Sequence, residues 1–206
     1  MRIKDRAKPK IPPVEPGVYM AVCVGVIDLG EQYSEKFKNY SNNVKLVWEL
    51  VGETCTIDGE EKPRQLSKDF TFSTSKKGKL RSFLSAWNGK DYTDDEFQNL
   101  EIFDQVGKAC QLQVSLSENK EYSNVTNIMA LPKGVAAPTT DTPPILWDME
   151  HWDDAVFDTL PAWTQEQIKK STEYQKDHAP ADPVTVEGAA RAAAAAPDPA
   201  DGGCPI

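Results

Sequence analysis

Apolar and polar positions alternate over several short stretches of this chain, then switch once to a helical period. Gly17 to Leu29 (GVYMAVCVGVIDL) is rich in β-branched residues and predicts a strand, with Gly25 marking a bulge or bend. Val44 to Val51 predicts a second strand. In it Val44, Leu46, Trp48 and Leu50 point one way, and Lys45, Val47 and Glu49 the other. Between them, residues 30–43 break the pattern and predict a long polar loop. Asp58-Gly59 is a hairpin signal. It leads to a third strand over Arg64 to Ser73, with Leu66, Lys68, Phe70 and Phe72 on one face.

Over Ser75 to Trp87 the period becomes helical. Leu80, Phe83, Leu84 and Trp87 form the apolar stripe, and Lys76, Lys77, Lys79 and Arg81 fall largely off it. Asn88-Gly89 ends that helix. Thr93-Asp94-Asp95-Glu96 is a capping box that starts a second, shorter helix. Ala109 to Leu116 and Tyr122 to Met129 complete the set as strands four and five. The order strand, strand, strand, helix, strand, strand is that of an OB-fold-like five-stranded barrel, so the expected class is mainly β. Such barrels carry oligonucleotides on strands 2–3 and on the loops joining strands 1 to 2 and 4 to 5.

Beyond residue 131 the composition shifts. The expected organisation is a basic, proline-rich arm over 1–13 and an OB-like nucleic-acid-binding domain over 14–131. A linker over 132–144, an aromatic and acidic segment with a short helix opening at Pro161 over 145–175, and a disordered Ala/Pro/Asp tail over 176–206 follow. Charge follows the same division. Residues 1–130 hold 18 Lys+Arg against 19 Asp+Glu, whereas residues 131–206 hold 5 against 13. Within the near-neutral part, residues 62–90 hold eight basic side chains and one acid, Asp69. Local charge decides contact with a polyanion, so a net charge of −9 does not exclude nucleic acid.

Candidate binding residues converge on two loops. Tyr33, Lys36, Phe37, Lys38 and Tyr40 interleave rings with cations, the combination that stacks unpaired bases and tracks phosphates. The competing arrangement is a mobile loop whose rings fold back on the barrel. Lys120 and Tyr122 sit at the opposite loop. Lys68, Phe70 and Phe72 either line an outer groove or point inward, with Lys68 at the rim; apolar faces usually point in. Lys76, Lys77, Lys79 and Arg81 either contact phosphate or form a solvated helix face. Trp147, Trp152 and Trp163, with Pro205 and Ile206, are candidate partner-binding positions.

Other chemistry is sparse. Cys23, Cys55, Cys110 and Cys204 form no CxxC pair and suit free buried thiols in a reducing cytosol. Neither a metal nor a cofactor is expected, because the two histidines build no ligand cluster or triad. Asp148, Glu150, Asp153, Asp154 and Asp158 alternate with tryptophans and lack a partner carboxylate strand, so an enzyme is not expected. Neither a membrane span nor a secretory signal is expected.

The runs at 13–19 (PVEPGVY), 46–50 (LVWEL), 80–89 (LRSFLSAWNG), 106–108 (VGK), and 160–163 (LPAW) through 168–174 (IKKSTEY) resemble a family of bacteriophage single-stranded DNA-binding proteins. These are encoded with replication or recombination genes. The resemblance implies sequence-nonspecific single-stranded DNA binding on an OB-like fold in the cytoplasm of an infected host, with oligomers possible. The chain end also resembles the wider plan of such proteins, in which an acidic tail and apolar tip recruit replication or recombination partners. Pro205 and Ile206 match that tip, whereas its usual final aromatic is absent. The alternative expectation is a protein–protein adaptor acting through residues 145–206, with the barrel as scaffold.

Overall fold

The computed structural model describes residues 11–57 and 59–178. Most of the N-terminal arm, Asp58, Cys204, Pro205, Ile206 and the tail from 179 lie outside the described residues.

The protein is mainly β. Its strands are β1 (Gly17–Ser34), β2 (Asn39–Ile57), β3 (Glu60–Thr71), β4 (Ala109–Leu116), β5 (Ser123–Met129) and β6 (Ile145–Trp147). Between β3 and β4 lie α1 (Lys79–Asn88), α2 (Asp94–Gln98) and a 3₁₀ turn, and α3 (Asp154–Thr159), α4 (Ala162–Ile168) and α5 (Thr172–Asp177) follow β6. The antiparallel path runs β3-β2-β1-β4-β5, and β6 pairs with β1 in parallel.

Two expectations about the sheet are corrected. It has six strands among the described residues rather than five, and it is not closed into a barrel. β3 and β5 end its antiparallel path, and they share no ladder. They do approach closely: the Lys68 ammonium reaches across and donates to the Val125 carbonyl. A side chain therefore spans the seam where backbone pairing would close a barrel.

β1 organises the molecule because one of its edges serves two partners in turn. Gly17–Val22 pair with β4, and Gly25–Ile27 pair with β6. The switch falls at the expected Gly25 bulge, where the register to β2 also slips between Cys23 and Gly25. A side chain at Gly25 would press on Ile145 and Val47.

Alternation along β1 and β2 then buries both faces. Ala21, Cys23, Val26, Val44, Leu46, Trp48 and Leu50 enter a first core with Leu66 and Phe70. The expected α1 stripe (Leu80, Phe83, Leu84, Trp87) is buried in it too. Trp48 touches Phe83 and Trp87 at ring-centroid distances of 5.7 and 5.9 Å. On the other face, Val24, Ile27, Leu29 and Val47 enter a second core with Trp147, Phe157, Leu160 and Ile168. Residues 145–178 are thus the second wall of the β1–β2 sheet. The stretch expected as a linker is also tied down, since Thr140 and Thr142 donate to the Glu49 carboxylate.

Truncation separates the two roles of the C-terminal region. Ending the chain at residue 131 should expose the second core and give an aggregating or molten product, whereas ending it at 178 should leave a cooperative thermal transition. Trp147→Ala should cost about 3–5 kcal/mol in urea unfolding, the usual range for a large aromatic removed from a core.

Candidate nucleic-acid interface

The stretch expected as a polar loop is instead paired backbone. β1 and β2 run on past the core as a two-stranded extension, from Gly30↔Asn43 to Ser34↔Asn39. Its polar sequence hides the strands because neither face of the extension has a core to pack on, so the period-2 signal is lost. A bulge at Asp28/Gly30 starts it. Gly30 has φ +68°, and its N–H donates to Asp28 Oδ1 at 2.9 Å. A tight turn ends it, where Lys38 at φ +51° donates its N–H to the Ser34 carbonyl at 2.7 Å.

The rings do not fold back on the sheet. Tyr33 and Tyr40 face each other across the strands with centroids 5.0 Å apart, and both are exposed. Phe37 at the tip is 70% exposed, with Lys36 Nζ 5.5 Å from its centroid. Lys38 and Lys36 are exposed beside it. The C-terminal helices brace the base. Glu173 Oε2 accepts from the Glu31 N–H at 2.9 Å, and Gln32 Nε2 donates to the Gln167 carbonyl at 2.9 Å. A Cβ at Gly30 would meet Glu173 Oε2 and Ser171 Cβ at 2.8 Å, so close seating and positive φ both require glycine there.

The second expected loop lies elsewhere. Lys120, at φ +55°, and Tyr122 are exposed in the β4–β5 turn. That turn follows the end of β4 that pairs with Gly17, whereas the hairpin tip follows Ser34, so the two loops flank opposite ends of β1.

On β3 the alternatives resolve residue by residue. Phe70 is core, its ring 4.7 Å from that of Phe83. Lys68 shares the inward face and lies over both rings at 5.8 Å, at the rim. Burial pulls its pKa below the ordinary lysine value, helped by nearby Lys79. Phe72 lies just past the strand end and is half exposed. Phe70 is therefore not available as a stacking platform.

The basic stretch is largely occupied with local acids and carbonyls. Arg81, expected either to contact phosphate or to lie on a solvated face, is buried. It donates to Asp94 Oδ1 at 2.8 Å and to the Tyr92 carbonyl, and lies 5.3 Å from the Phe97 ring. Lys76 pairs with the other Asp94 oxygen at 2.9 Å, Lys90 with Glu96 at 2.7 Å, and Lys62 with Glu60 at 3.3 Å. Arg64 donates to the Pro12 carbonyl. Lys77 and Lys79 stand exposed at the start of α1.

The tryptophans split as well. Trp147 is fully buried, which rules it out as an exposed partner contact. Trp152 is half buried between Trp147 and Phe157. Trp163 is exposed, and its ring sits 4.2 Å from Lys45 Nζ. Sequence reasoning missed Lys45, a cation on a strand position flanked by core residues. It is buried, paired with Asp69 at 2.5 Å, and its pKa is lowered by desolvation against the pull of that partner.

Among the described residues no group of three or more His, Cys, Asp or Glu side chains is placed to hold a metal ion. The acidic run has local duties: Asp153 caps α3, Asp148 pairs with His151, and Asp154 accepts from the Trp152 indole. Burial pushes the Cys23 thiol up to about 12 and raises that of Cys110, so neither is a thiolate nucleophile at neutral pH. Comparison with protein-family models and with curated proteins gave no match. Among the described residues no helix is long and apolar enough to cross a membrane.

Acid should loosen α2 first. The Lys90 ammonium and the Thr93 N–H hold the Glu96 carboxyl down at about 2, and Lys76 and Arg81 lower that of Asp94. A depressed carboxylate stabilises above its unfolded value and loses that contribution as pH falls. For Glu96 the window is 4.5 down to about 2. Side-chain NMR titration should place the Glu96 midpoint near the lower limit. Amide protection in α2 should decline across the same window.

Proposed function

We propose that this chain binds single-stranded DNA without sequence preference, gripping it first with the β1–β2 hairpin. The observation that carries this reading is the tip itself: Tyr33 and Tyr40 are exposed on paired backbone and Phe37 on the turn that joins it, with Lys36 and Lys38 beside them. Large apolar rings left in water at a projecting tip, with no core to fill, call for a ligand that offers flat faces. Unpaired bases offer them, at about 1–3 kcal/mol per stacked ring, and lysine follows the phosphates without reading sequence.

The element order and the near-closure of β3 on β5 support an OB-like arrangement, in which the hairpin and the β4–β5 turn with Lys120 and Tyr122, at opposite ends of β1, would bound the two ends of the binding path. The resemblance to phage single-stranded DNA-binding proteins agrees with a role in phage replication or recombination in the host cytoplasm. The adaptor alternative finds less support, because residues 145–178 are committed to the second core. Arg81, buried against Asp94, serves the fold in this reading, and Lys76 (76% exposed although paired with Asp94), Lys77 and Lys79 face solvent at the start of α1.

Fluorescence anisotropy of a labelled oligo-dT tests the proposal. Phe37→Ala should weaken binding by roughly five- to a hundredfold, the range of one lost stack, with an unchanged melting temperature because the ring packs on no core. Replacing Lys36 and Lys38 together by alanine should flatten the slope of log K against log salt by about 0.7 per lysine. A chain that leaves the oligonucleotide free at low salt would falsify the reading.

A further inference from the structure

We propose a second single-stranded DNA contact on the outer face of β2 and β3, where Trp163 stacks a base and the adjoining slot takes its phosphate. This rests on the reading that the chain binds such DNA. The aromatic residues of β2 and β3 that lie within the sheet core, Trp48 and Phe70, point inward, so the outer face of these strands borrows its ring from α4. Trp163 is 51% exposed, although a ring of this size is normally well buried.

Its position is fixed from below. Lys45 lies against the ring, Asp69 holds Lys45, and the second Asp69 oxygen accepts from Gln167 Nε2 at 3.0 Å. Gln167 also accepts, through its carbonyl, from Gln32 at the base of the hairpin. The helix that presents Trp163 is therefore bonded to the hairpin on one side and to β3 on the other. A platform held this way loses little freedom when a base stacks on it.

Beside the ring is space with donors. Lys45 and Ser67 line both the small pocket beneath Trp163 and an open slot of about 590 Å³ between β3 and β5. The slot exists because β3 and β5 do not pair. Lys68, Asn124, Thr126 and the Asp69 carboxylate complete its polar wall. The Lys68 ammonium spends one donor on the Val125 carbonyl and has two more to offer. Asp69 offsets Lys45, so Lys68 leaves the slot with a net positive charge, suited to a single phosphate rather than to a run of them.

The full chain and a labelled 20-mer oligo-dT serve as the test. Trp163→Ala should weaken binding about tenfold while Trp163→Phe, which keeps a ring, stays near wild type. Asn124→Asp, an exposed change that adds a negative charge to the slot, should weaken binding several-fold. Trp163 is the exposed indole among the five, so Trp163→Phe should also abolish most of the fluorescence quenching caused by the oligonucleotide. If Trp163→Ala and Asn124→Asp both bind as wild type does while Phe37→Ala still weakens binding, the second contact is overturned and the hairpin reading stands. If the wild-type chain does not bind, both fall.

Discussion

Everything in this protein depends on a single strand buried on both faces. β1 sends Ala21, Cys23 and Val26 into one core, and Val24, Ile27 and Leu29 into the other. An antiparallel strand in a two-layer domain usually buries one face and wets the other. Here the Gly25 bulge turns the strand so that its edge passes from β4 to β6, and β6 brings in the segment that covers the second face. Nearly unbroken apolar sequence from Ala21 to Leu29 is the direct consequence. The C-terminal helices are as much a part of the fold as the sheet.

That arrangement constrains where a ligand can bind. The outer face of β1 and β2, open in a bare barrel, is roofed by Trp147, Phe157, Leu160 and Ile168. Accessible places include the hairpin beyond the roof, the β4–β5 turn, the seam between β3 and β5, and the ring that the roof itself presents. The same helices that close one face stiffen the hairpin through Glu173 and Gln167. Rigid backbone under exposed rings lowers the ordering cost of binding.

Electrostatics follow the same division between fold and surface. A stretch that reads as strongly cationic along the chain is partly compensated in space, because Glu60, Asp94 and Glu96 are bonded to four of its eight cations. Asp94 alone holds Lys76 and Arg81, and Asp69 holds the buried Lys45. Linear charge counts report ions, whereas a polyanion meets only those left uncompensated.

The sequence by itself determined the elements whose signals are local. Strand β4, the α1 stripe, the Thr93–Glu96 capping box, the Gly25 bulge and the helix after Pro161 all follow from period, caps and backbone preference. It also singled out the residues of the hairpin tip, from the mixture of rings and lysines alone. Only the tertiary structure decided that Tyr33 and Tyr40 sit on paired strands, with Phe37 in the turn between them, since an extension without a core carries no alternation. Only the structure decided that Phe70 points in, that Trp147 is core and that Arg81 is buried, because each depends on which surface another part of the chain covers. The open seam between β3 and β5 was equally illegible. Whether two distant edges pair is a matter of how far the sheet coils, and no local pattern records it.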